Sequence, residues 1–145
     1  MKTLLLNGSP RPNGNTVSLI RELKAHLEGE IIEISAFYSG IAPCIDCRGC
    51  WESAQCVIHD GMDVIYGDDF DNVVIATPVY FGTMPGSMLN LLSRMQPWHV
   101  ATHFLKEPLV QRPKKAAAIV THRLFAFERG LILNIDELRL FARRI

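Results

Sequence analysis

Three short apolar runs constrain the fold of this 145-residue chain more than any other feature. They span residues 3–7, 71–77 and 115–121, and each is followed directly by polar or turn-forming residues. None alternates between apolar and polar positions, which indicates strands that are covered on both faces. A fourth run, residues 30–35, is rich in isoleucine. Such strands, joined by helices, predict a parallel sheet between two helical layers.

The segments between these runs predict helices. Asn15 or Thr16 is placed to cap a helix whose apolar positions 17, 20, 23 and 27 share one face, and Gly29 ends it. A short helix is predicted over 60–66 and a longer one over 83–95. Residues 96–113 carry three prolines and are expected to form mostly loop.

The end of the chain has two interpretations. Apolar residues from Leu124 to Ala142 recur near helical spacing, which favours a helix bent near Gly130. Alternatively, residues 131–135 form a fifth strand and Asp136 caps a last helix. Periodicity does not choose between them.

Composition restricts the setting and the partners. Fifteen basic and fifteen acidic side chains give a net charge of zero, which argues against nucleic acid or an acidic membrane surface as a partner. No apolar run approaches the roughly 20 residues of a membrane span, and no leader pattern precedes the first strand. We therefore expect a single cytoplasmic domain, residues 1–145, whose four cysteines are thiols or metal ligands.

The first strand runs into a polar loop, GSPRPNGNT at residues 8–16, and then directly into a helix. Free N–H groups at a helix N-terminus, together with the helix dipole, favour a phosphate. Ser9, Asn15 and Thr16 add side-chain donors, and Arg11 adds positive charge. The sequences GxxxxGK[ST] and GxGxxG are absent, so a phosphate monoester suits the loop better than a nucleoside triphosphate. The same residues also suit a simple turn and helix cap.

A second candidate loop follows the strand at 71–77 and presents two aromatic residues, Tyr80 and Phe81. Aromatic side chains beside a phosphate site suit a flat ring ligand. The alternative is that both are ordinary core or interface residues. Because ligands of such sheets bind beyond the carboxyl ends of the strands, the site candidates are the residues that follow Asn7, Thr77 and Thr121.

Together the two loops resemble those of the flavodoxin-like NADPH-dependent FMN reductases, on the segments GSPRPNGNT at 8–16 and TPVYFGTMPGSMLNLLSR at 77–94. The resemblance implies a doubly wound, three-layer α/β/α fold with five parallel strands, FMN at the carboxyl edge and NAD(P)H as a donor. Residue by residue, it assigns the FMN phosphate to Ser9, Arg11, Asn15 and Thr16, and the isoalloxazine to Pro78, Val79, Tyr80, Phe81 and Gly82. The cofactor supplies the redox chemistry, so no catalytic side chain is assigned.

The chain departs from this family pattern after the fourth strand. The family usually has a glycine-rich turn there, then a helix and a fifth strand, whereas here Thr121 is followed by His122 and Arg123. We therefore expect an altered or incomplete C-terminal edge of the sheet. Residues 131–145 are apolar enough to offset such an edge by packing between subunits, which predicts a homo-oligomer, a dimer or a tetramer.

All four cysteines lie in one segment, residues 41–59, that is predicted to be irregular: Cys44, Cys47, Cys50 and Cys56. Three ligands at two-residue gaps, with a fourth close behind, can wrap one cubane cluster. Zinc sites usually pair two separated CxxC knuckles, which this spacing matches less well. Unligated thiols or a dithiol pair are the remaining alternative. After the run, His59 and Asp60 favour a turn and a helix cap.

A compact cysteine run at this place resembles the iron-sulfur flavoproteins, a branch of the same superfamily. That resemblance implies a [4Fe-4S] cluster on the four cysteines, near the FMN, and single-electron exchange with ferredoxin-like donors. The leading hypothesis is therefore an FMN-dependent oxidoreductase that passes electrons from a reduced donor to a small acceptor. A cluster-free NAD(P)H-dependent FMN or quinone reductase is the second hypothesis, and a shortened, non-catalytic binding module is the third.

Overall fold

The computed structural model of the chain describes residues 1–107, 114–124 and 127–133. In this part of the chain, five strands form one sheet in the order β2-β1-β3-β4-β5. The strands are β1 (Lys2–Asn7), β2 (Glu30–Ser35), β3 (Asn72–Pro78), β4 (Lys115–Leu124) and β5 (Phe127–Leu133). The first four are mutually parallel, and β5 runs antiparallel to β4.

The central strand β1 pairs with a neighbour on each side. Leu5 lies opposite Glu33 of β2 and opposite Val74 of β3. The chain therefore leaves β1 towards one edge of the sheet and then returns to build the other edge. This reversal opens a crevice at the carboxyl ends of β1 and β3, which is where doubly wound sheets of this order bind their ligands.

Helices cover both faces of the sheet. The helices are α1 (Asn15–His26), α2 (Cys50–Ser53), α3 (Asp63–Tyr66), α4 (Gly86–Ser93) and α5 (Gln96–Val100). Leu5 points to the face that is covered by Ile20 of α1. Leu4 and Leu6 point to the opposite face, where Met88 of α4 is buried in the same cluster. This arrangement confirms the predicted three-layer α/β/α architecture, because adjacent strand positions are buried on opposite sides.

Two predicted boundaries on either side of α4 were wrong. The helix was expected over 83–95 but spans Gly86–Ser93, because Tyr80 and Thr83 pair as a β-bridge and Pro85 occupies the N-cap position. Residues 96–105 were expected to be loop. They form α5 and then a π-helical turn, Ala101–Leu105. Pro97 lies in the first turn of α5, where its missing N–H costs nothing.

The predicted change at the C-terminal edge is confirmed, but its form differs from both the family pattern and the preferred helix. Phe127–Leu133 is a strand that pairs antiparallel with β4, from Leu124↔Phe127 to Ala118↔Leu133. The fifth strand is therefore not parallel, and the helical interpretation was wrong for this segment. The strand alternative was closer, although it began at residue 131. The predicted cap at Asp136 lies outside the described residues.

Among residues 1–107, 114–124 and 127–133, no helix combines the length and the apolar character that crossing a membrane requires.

Candidate functional site

Gly8 closes β1 against β3 at the carboxyl edge of the sheet. Its N–H donates to the Ala76 carbonyl oxygen at 2.7 Å. A Cβ at position 8 would lie 2.9 Å from both Met88 Cε and Thr77 Oγ1, which is closer than such contacts occur. A side chain at this position would therefore crowd those of Met88 and Thr77, which would have to shift, and glycine avoids this contact.

The N-terminus of α1 faces the same edge without a protein cap. Gly14 occupies the N-cap, no side chain caps the helix within the described residues, and its first turn contains no acidic residue. The predicted cap at Asn15 or Thr16 was therefore wrong, since both residues lie inside the helix. The first-turn N–H groups and the positive end of the dipole are left for an external anion. This is the chemistry that a phosphate requires.

The four predicted phosphate residues differ in burial. Ser9 and Thr16 are buried, whereas Arg11 and Asn15 are exposed. The Ser9 hydroxyl donates to the Arg11 carbonyl oxygen at 3.1 Å and accepts from the Arg11 N–H at 3.2 Å. These bonds shape the turn and use the only proton of that hydroxyl. Ser9 is therefore suited to hold the loop, and its own O–H reaches a phosphate only if that bond is exchanged.

Thr121 is a site residue whose role the sequence did not reveal. Its hydroxyl lies 2.6 Å from that of Thr16, and its carbonyl oxygen accepts from the Val79 N–H at 2.8 Å. The strand end at Thr121 was a candidate, but no pattern links residues 105 positions apart. When Thr121 donates, the Thr16 O–H remains available to a phosphate. Thr121 thus joins the phosphate loop to the loop predicted to border a ring.

That second loop folds into a two-residue hairpin. Tyr80 and Thr83 exchange backbone hydrogen bonds of 2.8 and 3.0 Å across Phe81 and Gly82. Both central residues have positive φ, 50° at Phe81 and 79° at Gly82, as in a type I′ turn. Such a φ is strained for a bulky residue, and the Phe81 side chain is fully exposed. Tyr80, Phe81 and Gly82 therefore project beyond the sheet, while Pro78 and Val79 are half-buried.

The four cysteines line one cavity with Trp51, Arg94 and Pro97. Cys47 is exposed and the other three thiols are partly buried. Asp46 and Arg48, on either side of Cys47, both have positive φ. As described, no three Cys, His, Asp or Glu side chains of the described residues are arranged to hold a metal ion. The four thiols nevertheless fit a soft metal centre in their chemistry, because all of them line the same cavity. Metal binding would require the loop to move the sulfur atoms closer to one another.

Arg94 lies beneath this cysteine loop and is 1% exposed. Its Nη1 donates to Asp60 Oδ2 at 2.7 Å and to the Ala42 carbonyl oxygen at 3.0 Å. Its Nη2 donates to the Ile58 carbonyl oxygen at 2.9 Å. The Nε–H is buried and has no partner among the described residues, which ordinarily costs about 1–3 kcal/mol.

Charges around Arg94 shift several pKa values. Burial lowers the pKa of Arg94, but the bond to Asp60 and the nearby Cys56 hold it above its usual range. Burial raises the pKa of Asp60, and the hydrogen bonds from Arg94 and from the N–H groups of Met62 and Ala42 outweigh this and lower it. Burial, together with the other three cysteines, raises the pKa of Cys50, so this thiol holds its proton at neutral pH until a metal displaces it.

Sequence reasoning did not identify the ion pair between Asp60 and Arg94. Asp60 does accept from the Met62 N–H at 2.9 Å, as expected of a turn. Its second oxygen, however, bonds to an arginine 34 positions later. Only an unusually apolar context around Arg94, in the run LNLLSRM, hints that this arginine is buried.

The two candidate sites lie at opposite ends of α4. The ring-bordering hairpin precedes its first residue, Gly86. The cysteine loop contacts its last turn, where the Cys44 N–H donates to Ser93 Oγ at 3.0 Å. Eight helical residues rise about 12 Å, so the length of α4 separates the hairpin from the loop contact at Ser93.

The fold and the carboxyl-edge site define a flavodoxin-like protein. The azoreductase of Bacillus anthracis has the same fold, with a TM-score of 0.63 at 14% identity over 99% of this chain and 79% of its own. Residues 1–123 match the NADPH-dependent FMN reductase family. The chain therefore belongs to this family of oxidoreductases, as the sequence resemblance predicted.

Curated relatives of the chain are iron-sulfur flavoproteins. One from Methanocaldococcus jannaschii is 36% identical over 105 residues, which are 69% of this chain and 54% of that protein. Another from Methanosarcina thermophila is 34% identical over 99 residues, 65% of this chain and 52% of that protein. The chain thus spans about half the length of these relatives.

Proposed function

We propose that this protein is an FMN-dependent oxidoreductase of the iron-sulfur flavoprotein type, which passes electrons between a reduced donor and a small acceptor. The observation that carries the proposal is the pairing of two unlike sites in one chain. An uncapped helix N-terminus lies at the carboxyl edge of a flavodoxin-like sheet. Four thiols line one cavity at the far end of α4.

Three observations support FMN at the carboxyl edge. The helix α1 offers free N–H groups to a phosphate, and Ser9 and Thr16 are buried beside them. Arg11 of the loop and Asn15 at the start of α1 are both exposed, so their side chains are available to the phosphate. In this proposal the hairpin residues and their neighbours border the isoalloxazine: Pro78, Val79, Tyr80, Phe81 and Gly82. Bound FMN supplies the two-electron chemistry, and these residues position it.

The cysteine cavity supports an iron-sulfur cluster. Thiolates are the ligands that such clusters take, and the relatives at 34–36% identity are named for one. In this proposal Cys44, Cys47, Cys50 and Cys56 hold a [4Fe-4S] cluster. A one-electron centre suits exchange with a ferredoxin-like protein, whereas the flavin alone suits NAD(P)H.

Anaerobic purification with quantified iron, sulfide and flavin tests the proposal. We expect about one FMN and four iron and four sulfide atoms per chain, and a brown protein with a broad visible shoulder. A yellow protein with two flavin bands and no iron, even after anaerobic reconstitution, would support the cluster-free NAD(P)H-dependent FMN or quinone reductase instead. This second candidate is favoured by one observation: among the described residues, no three of the thiols lie close enough together to share a metal ion.

The third candidate is a non-catalytic binding module, which is favoured by the antiparallel strand beyond β4. Titration with flavin distinguishes this module from both enzymes. Added FMN should lose fluorescence and co-elute with the protein if either enzyme proposal holds. Absence of both effects would exclude the two enzymes together.

We also propose that the chain is one domain and assembles as a dimer or tetramer. A mass in light scattering that stays monomeric at high protein concentration would contradict this assembly.

A further inference from the structure

Arg94 holds both ends of the cysteine loop with one side chain. Its guanidinium bonds to the carbonyl oxygen of Ala42, two residues before Cys44, and to that of Ile58, two residues after Cys56. The adjacent Ser93 Oγ accepts the Cys44 N–H. Two consecutive residues at the end of α4 therefore fix where the cysteine run begins and ends.

The same guanidinium faces the cysteines. It lines the cavity that the four thiols share, and it interacts electrostatically with the Cys56 side chain. Two of its N–H bearing nitrogens are bonded to the loop, and the third, Nε, is buried with no partner among the described residues. Buried donors without partners are rare in proteins and call for an explanation.

We propose that Arg94 is a positioning residue for the cluster site: it brackets the cysteine loop and donates its Nε–H to a sulfur of the bound cluster. This inference rests on the proposed iron-sulfur function. Hydrogen bonds to the sulfurs and nearby charge both set the reduction potential of a cluster. Because the charge of Arg94 is balanced by Asp60, the hydrogen bond is the main effect: a donor to a cluster sulfur favours the more negative, reduced state, so Arg94 raises the potential at which the cluster accepts an electron.

Two variants and one control test this role. Arg94→Lys keeps a positive charge but loses the fork that bonds to Ala42 and Ile58. The double variant Arg94→Met/Asp60→Asn removes the ion pair as a whole, so the Nε–H donor is lost while the local net charge stays the same and no buried carboxylate is left unpaired. Lys24→Gln is the control, because it also removes a positive charge but lies on α1, on the opposite face of the sheet from α4, where the side chain is 40% exposed. Each protein is reconstituted anaerobically, and iron, sulfide and FMN are measured before an EPR-monitored redox titration.

We expect the double variant to bind FMN normally, to lose part of its iron, and to have a lower cluster potential. At a fixed potential the ratio of reduced to oxidised cluster should fall about tenfold, which corresponds to about 59 mV for one electron. Arg94→Lys should lie between it and the wild type, and Lys24→Gln should match the wild type. If the double variant fails to fold, Arg94→Lys decides the question by the same readouts.

Two outcomes would overturn the inference, and they are distinguishable. Wild-type iron content and potential in both Arg94 variants would show that Arg94 neither brackets the site nor bonds to the cluster, while the proposed function stands. Wild-type protein that binds FMN but no iron or sulfide would remove the cluster itself, and this inference with it.

Discussion

The two candidate sites of this chain are built in different ways. At the carboxyl edge, the backbones of neighbouring strands are joined directly: Gly8 bonds to Ala76, and Val79 bonds to Thr121. At the cysteine loop, the backbone is held by side chains: Arg94 bonds to two carbonyl oxygens of the loop, and Ser93 accepts the Cys44 N–H. The first site therefore follows from sheet topology, whereas the second depends on a few side-chain contacts at the end of α4. The comparison predicts that the two sites fail separately when either is altered locally, and together when α4 is altered.

The largest effect is expected from a cysteine ligand. Cys50→Ser replaces a soft thiolate with a poor ligand for iron, so iron and sulfide should fall to near zero while FMN remains bound. Ser53→Ala, in the same helical turn, is the matched control and should retain both cofactors. Metal analysis and flavin quantification on the same sample decide the result. Unchanged iron would exclude Cys50 as a ligand, and loss of FMN as well would show that the sites are coupled.

A change inside α4 should weaken both sites. Met88 of α4 is fully buried against Leu4 and Leu6 of β1, so Met88→Ala should lower the free energy of unfolding by about 2–5 kcal/mol. Leu89→Ala is the control, since Leu89 is 42% exposed and its loss should cost much less. Urea denaturation measures both values. Equal costs for the two variants would show that α4 does not pack as described.

Loss of one hydroxyl should affect only the flavin site. Thr16→Val keeps the shape but removes a donor to the phosphate, so the Kd for FMN should rise about tenfold with the iron content unchanged. Ser18→Ala removes an exposed hydroxyl from the same helix and should leave the Kd unchanged. Fluorescence titration gives both constants. An unaltered Kd in Thr16→Val would place the phosphate elsewhere.

The smallest effect concerns pH and the anchor of the cysteine loop. The pKa of Asp60 is lowered from 3.8 in the folded protein, so its bond to Arg94 contributes stability above that pH. The contribution is lost as the pH falls through the folded pKa. Wild type should therefore be more stable than Asp60→Asn at neutral pH, and the difference should shrink below 3.8.

Thermal unfolding across this pH range measures that difference. Asp46→Asn is its control, because the Asp46 side chain is 81% exposed and its exposed ion pair should contribute little to stability. A difference between wild type and Asp60→Asn that stays constant as the medium is acidified would mean that the carboxylate of Asp60 does not anchor the loop.

Much of the fold could be predicted because strands that are buried on both faces leave an unmistakable pattern. The apolar runs at β1, β3 and β4 are continuous. Glu33 interrupts the run at β2, but the isoleucines were enough to predict the bounds of that strand, Glu30–Ser35, without error. The antiparallel direction of β5 could not be predicted, since strand direction depends on which neighbour the segment meets after it leaves β4. Likewise, prolines in 96–113 suggested loop, although a proline in the first turn is compatible with α5.

For the sites, the sequence by itself determined which residue types were available: a polar loop after the first strand, an aromatic turn after the third, and four cysteines in one run. Local patterns carry this information because turns, helix starts and ligand spacings are short-range. Only the tertiary structure decided that Thr121 meets Thr16 and that Arg94 meets Asp60, 105 and 34 positions apart. Such pairs depend on how separate elements pack, and no short-range pattern records that packing.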